Sequence, residues 1–132
     1  MGHILNKKII EQTIEAISGE DLSEGTKVMC DIIILYKEKT IGRIEQLHEL
    51  YSKHDWKQLH FECHSLKSAS GAVGAETMMD LCERIEQFSR DGHSPELAPL
   101  MSQLDPLWSA LLQELDLCIK RLQTIEEADA AD

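Results

Sequence analysis

Aromatic residues are few in this chain: two Phe, two Tyr and two Trp among 132 positions. Sheets of many short strands draw on aromatic and β-branched residues and on frequent turns. With only three Pro and seven Gly as well, an all-β fold is excluded. Long apolar runs are also missing. The longest, Ile32 to Tyr36, is far short of the roughly 20 residues that span a membrane as a helix. No basic segment followed by an apolar stretch marks a secretory signal, and Asn6 stands where N-myristoylation needs Ser or Thr. Positive charge is scarce, with 13 Lys and Arg against 24 Asp and Glu and a net charge of -11. Such a surface repels phosphate backbones and anionic headgroups, so neither nucleic acid nor a membrane is expected as a partner. Cys30, Cys63, Cys82 and Cys118 lie far apart with no C-x-x-C pair, which argues against a zinc ribbon or thioredoxin-type site and fits reduced thiols in a cytoplasm.

What is present is helical periodicity. Ile10, Ile14 and Ile17 share one stripe of a short first helix that begins near Asn6 and stops at Ser18-Gly19. Asp21 with Glu24 three residues on is a capping pair for a long second helix, with the stripe Met29, Ile33, Tyr36, Thr40, Ile44, Leu47 and Tyr51; Gly25 blurs its start. The pattern breaks at Ser52 to His54. Asp55 and Gln58 repeat the cap before Leu59, Cys63, Leu66, Ser70 and Val73, a third helix that ends near Gly74. Met78, Leu81, Cys82, Ile85 and Phe88 mark a fourth, stopped by Asp91-Gly92. Ser94-Pro95 opens a last stripe from Leu97 to Ile125, and Asp105-Pro106 predicts a kink or restart within it. The expected fold is all-α: an antiparallel up-down-up-down four-helix bundle with a short extra N-terminal helix, one domain over residues 1–125, monomeric, with a disordered acidic tail at 126–132.

On the third helix the core stripe turns His64 outward, with Lys67 and Ser68 one turn further and Gly71 two turns on. Glycine inside a helix costs about 1 kcal/mol relative to Ala, so the run Ser68-Ala69-Ser70-Gly71-Ala72 calls for a reason. Close helix packing is the ordinary one, and a solvated surface residue is the ordinary account of a lone His. Together with Lys67 on the same face, the features suit phosphoryl transfer onto nitrogen: an exposed imidazole, a nearby ammonium and an open approach. His60 and His64, at i and i+4, could by spacing share a metal ion, but no third or fourth ligand is evident and no metal site is expected. Cys82 and Cys118 read as core thiols, Met78 as core and Met79 as its flank.

The stretch from His64 to Ala75, HSLKSASGAVGA, followed by Leu81-Cys82-Glu83-Arg84-Ile85-Glu86, resembles the histidine-containing phosphotransfer (HPt) domain over nearly the whole chain. Lys67, Gly74, Leu81, Cys82 and Glu86 fall on motif positions. Ser68 stands where the family usually has Gly, and Cys63 where it often has Ala. The resemblance implies that His64 accepts a phosphoryl group from an aspartyl phosphate on a receiver domain and passes it to another receiver, with Lys67 stabilising phosphoryl charge. It implies response-regulator receivers or a hybrid sensor histidine kinase as partners. It also implies no cofactor in this chain, the Mg²⁺ and most of the catalytic machinery belonging to the receiver. His60, Ser68, Gly71 and Ala72 are the expected docking residues on the third helix.

On the second helix, Ile41 and His48 join them if a tight turn brings that stretch level with His64. A free-standing shuttle is expected over the C-terminal domain of a hybrid kinase. The alternative is a helical interaction module in which His64 is incidental and the surface around Ile34 and Ile41 binds a partner.

Overall fold

A computed structural model describes residues 4–19, 22–92 and 94–131, with side chains to residue 125. It is all-helical, with six helices among the described residues: α1 (Lys7–Ser18), α2 (Leu22–Ser52), α3 (Trp56–Ala72), α4 (Glu76–Arg90), α5 (Leu97–Met101) and α6 (Leu104–Ala131). None of them is long and apolar enough to cross a membrane. The four longer helices α2, α3, α4 and α6 touch in a closed ring, and α1 packs on α2. Level contacts fix the directions. Tyr36 meets Ser70 across α2 and α3, His64 meets Glu86 across α3 and α4, and Lys37 and His48 meet Asp116 and Asp105 across α2 and α6. Each of these pairs is therefore antiparallel.

The helix ends follow from local chemistry. Asn6 caps α1 by accepting from the Lys8 amide, and Asp55 caps α3 by accepting from Gln58. Asp21, the expected cap of α2, lies outside the described residues. The α2–α3 turn needs one left-handed residue, His54 at φ 58, whose ring stacks on Trp56 at 5.1 Å. Gly74 closes α3 at φ +75, where a Cβ would sit 2.7 Å from the Asn6 carbonyl oxygen. The Asn6 amide donates to the Gly74 carbonyl and its side chain to Glu76, so the N-terminal segment clamps the α3–α4 turn that joins the two helices of the candidate site.

The apolar stripes meet in one core. On α3 the buried set is Leu59, Cys63, Leu66 and Ser70, the stripe that periodicity predicts, and Ile33, Ile44, Leu47, Met78, Ile85, Leu104, Leu111 and Leu115 are fully buried around it. Gly25 does not delay α2. The helix runs through it because α1 crosses there: a Cβ would lie 1.7 Å from Ser18 Oγ and 2.5 Å from the Ile14 carbonyl oxygen. The last stripe does restart, as α5 and then α6, with Pro106 in the first turn of α6 where its missing N–H costs nothing. Two features differ from expectation. Ile125, the last residue of that stripe, is exposed, and the backbone of α6 stays helical to Ala131 instead of giving way at Glu126. Adding residues to an existing helix avoids the nucleation cost, and Ala and Glu are good helix formers.

Candidate functional site

The site is built on the seam between α3 and α4 around one buried carboxylate. Glu86 occupies the core-facing side of α4, one turn after Cys82 and one before Ser89, and only 9% of its side chain is exposed. Its Oε1 accepts from His64 Nδ1 at 2.9 Å, and its Oε2 takes the Lys67 ammonium at 2.8 Å. His60 Nδ1 donates to the Glu86 backbone carbonyl at 2.9 Å, and its Nε2 lies 4.0 Å from Oε1. Three side chains from successive turns of α3 thus converge on a single residue of α4.

Electrostatics explain why a carboxylate is tolerated there. Burial pushes the Glu86 carboxyl up, but the Lys67 ammonium and the His64 imidazole against it more than offset this and hold it below the ordinary 4.5. The same contact raises the Lys67 ammonium above its usual range, so the pair is charged at neutral pH. A carboxylate can only accept, so the neutral His64 ring carries its proton on Nδ1 and presents a lone pair at Nε2. The His64 side chain is 60% exposed, and Nε2 has no partner among the described residues. The chemistry this permits is nucleophilic attack by Nε2 from a ring fixed in orientation and tautomer. The thiols beneath it are unsuited to such a role: burial pushes Cys82 up to about 12 and Cys63 higher still.

The other expected site residues divide by position. Ser68 is exposed one turn above His64. Gly71 does not open a bare face, because Met79 of α4 fills the space; a Cβ there would stand 3.2 Å from its sulfur. Ala72 lines a groove of about 230 Å³ on the opposite flank of α3, with Ala69, Leu35, Tyr36, Lys39 and Arg43. Within the run, Ser70 bonds the Tyr36 hydroxyl at 2.7 Å, and burial pushes that phenol up to about 12. Within the run, Ser70 and Gly71 therefore serve close packing against α2 and α4, while Ser68 and Ala72 stay exposed. The tight turn does bring α2 level with α3, but Ile34, Ile41 and His48 share a stripe whose ends face α6: Ile34 lies beside Asp116 and Ile119, and His48 bonds Asp105 at 2.9 Å. Ile41 is exposed. The structure does not bring His48 to His64, which sits on the other seam.

Two residues of the site were not singled out from sequence as site residues. Glu86 was visible only as a motif position, although a carboxylate on the apolar stripe of α4 is itself a signal. Phe61, one turn before His64 on α3, is 64% exposed, and a large aromatic off the stripe was the available sign of it. His60 and His64 are turned on Glu86, and among the described residues no group of three His, Cys, Asp or Glu is arranged to hold a metal ion.

No curated protein sequence matches the chain. Among solved structures it is similar to histidine-containing phosphotransfer protein B of Pseudomonas aeruginosa PAO1, with a TM-score of 0.70 and 19% identity over 92% of this chain and 98% of that one. At that identity the likeness speaks for the fold. The family model of the Hpt domain matches residues 31–125, a span holding α3, α4 and the whole site, and the chain therefore belongs to the Hpt-domain family of two-component phosphorelays.

Proposed function

We propose that the protein is a phosphorelay intermediate in which His64 accepts a phosphoryl group from a receiver-domain aspartyl phosphate and passes it to another receiver. The observation that carries this reading is the His64–Glu86 bond, which leaves Nε2 as an outward nucleophile. In the forward step the Nε2 lone pair forms a bond to phosphorus, and the bond from phosphorus to the aspartate oxygen breaks with its electron pair leaving on the carboxylate. No proton need move. The Nδ1–H stays on Glu86, whose charge balances the positive charge that develops on the ring. Lys67 lies one turn away and can share its charge between Glu86 and the phosphoryl oxygens.

The domain carries the group, and the receiver with its Mg²⁺ supplies most of the catalysis. The framework is an up-down-up-down bundle of α2, α3, α4 and α6, with α1 as the added helix, acting as a cytoplasmic monomer. Receiver docking is assigned to the outward face of α3, where Phe61 and Ser68 frame His64 and His60 lies at its edge. Incubation with a phosphorylated receiver should place an acid-labile, base-stable label on the protein. Label that persists in His64→Gln overturns the assignment.

A further inference from the structure

Two imidazoles of α3 reach the same carboxylate, and phosphotransfer as proposed above uses only one of them. His60 Nδ1 lies 2.9 Å from the Glu86 carbonyl oxygen, an acceptor only, so the neutral His60 ring must be protonated at Nδ1. That tautomer leaves Nε2, 4.0 Å from Glu86 Oε1, with a lone pair and no proton to offer the carboxylate. Two acceptor atoms at that distance do not attract. Protonation of His60 converts this contact into N–H⁺ against carboxylate, on the oxygen that His64 already uses. The charged groups at this point are Glu86 and Glu83 from α4, the latter acting on Lys67, and His60, His64 and Lys67 from α3; among the described residues no ion pair from α1, α2, α5 or α6 reaches it.

We propose that His60 is a positioning residue which shares Glu86 with His64, so that protonation of His60 disfavours protonation of His64 and keeps it nucleophilic toward lower pH. The inference rests on the phosphotransfer reading for its meaning and on the three-residue geometry for its physics. A proton on His60 neutralises part of the Glu86 charge and adds a like charge one helical turn from His64. Both effects make a second proton on His64 less favourable.

The test follows the His64 ring nitrogens by NMR through a pH titration of the full chain, in the wild type, His60→Gln and His60→Phe. In both variants the His64 titration should move to higher pH by roughly half a pH unit, the size expected of two charges one turn apart in a largely aqueous surrounding. The acid limb of the single-turnover phosphotransfer rate, normalised to each variant's own plateau, should move with it. In a Glu86→Gln background the effect of His60→Gln should shrink, since the shared carboxylate is gone. An unmoved His64 titration in both His60 variants, or a move to lower pH, overturns the proposal. Because the titration needs no receiver, its outcome is separable from failure of phosphotransfer itself, which appears as absence of label on His64.

Discussion

Replacement of Glu86 by Gln tests the site at its centre. The side chains are nearly isosteric, and the amide oxygen can still accept the His64 Nδ1–H, so ring orientation is largely kept while the charge is lost. As Nε2 takes the phosphoryl group, positive charge grows on a ring whose Nδ1 is 2.9 Å from Oε1, with charge centres about 4 Å apart. Unit charges at that separation attract by about 1 kcal/mol in water and about 4 kcal/mol at an effective dielectric of 20. With Glu86 buried and His64 more than half exposed, the site falls between these limits. A loss of about 1–3 kcal/mol of transition-state stabilisation corresponds to a roughly 5- to 150-fold slower transfer. Single-turnover transfer from a phosphorylated receiver measures it, with receiver affinity determined separately and expected to change little. A Glu86→Gln protein that is folded, binds the receiver and transfers within twofold of wild type would refute the role given to this carboxylate.

The remaining predictions concern charge and packing around the same seam. Lys67→Ala should slow transfer by a larger factor than it weakens receiver binding, because its charge acts on the moving phosphoryl group; equal losses in rate and affinity assays would contradict this. The folded Glu86 carboxyl lies below its ordinary 4.5, so its contribution to stability is present above that value and lost as pH falls through the folded value; denaturant midpoints should fall less steeply with acid in Glu86→Gln than in wild type. Tyr36→Phe leaves the buried Ser70 hydroxyl without its 2.7 Å partner and should cost about 1–2 kcal/mol in urea unfolding. Gly25→Ala drives a methyl into Ser18 and the Ile14 carbonyl, and a loss of about 1–3 kcal/mol or detachment of α1 is expected by denaturation and amide exchange.

Helix positions were legible from sequence because the core is a set of unbroken three-four stripes with chemical punctuation at their ends. Asp55 with Gln58, and Gly74, Gly92 and Pro106, mark boundaries the structure adopts. The outward placement of His64 followed from the same periodicity. Less legible was anything set by contact between helices at one residue. Gly25 looks like a flaw in a helix until α1 is laid across it, and Gly71 looks like an open surface until Met79 is placed against it. Periodicity gives the phase of each helix about its own axis and not the identity of the neighbour it meets. That is why the Ile34, Ile41 and His48 stripe could be put at the right height beside α3 yet faces α6.

Glu86 shows the same limit for the chemistry. On a helical wheel it falls among Cys82, Ile85 and Ser89, where a carboxylate is costly to bury unless cations meet it. Its partners, the Lys67 ammonium and the His64 Nδ1–H, lie on α3, and only the antiparallel turn at Gly74 brings them to it. The buried charge then accounts for two facts at once: it fixes the tautomer of the exposed imidazole, and it holds the ammonium near the attacking nitrogen. With Ser70 and Gly71 engaged in packing and Ala72 on the groove toward α2, the outward part of α3 around His64 is the face carrying Phe61, His64 and Ser68. If that proposed face is where a receiver docks, discrimination between partners comes from what it adds around the histidine. On the phosphotransfer reading proposed above, an exposed aromatic on one side and a serine on the other would offer a receiver an apolar contact and a hydrogen bond without crowding the line along which the phosphoryl group moves.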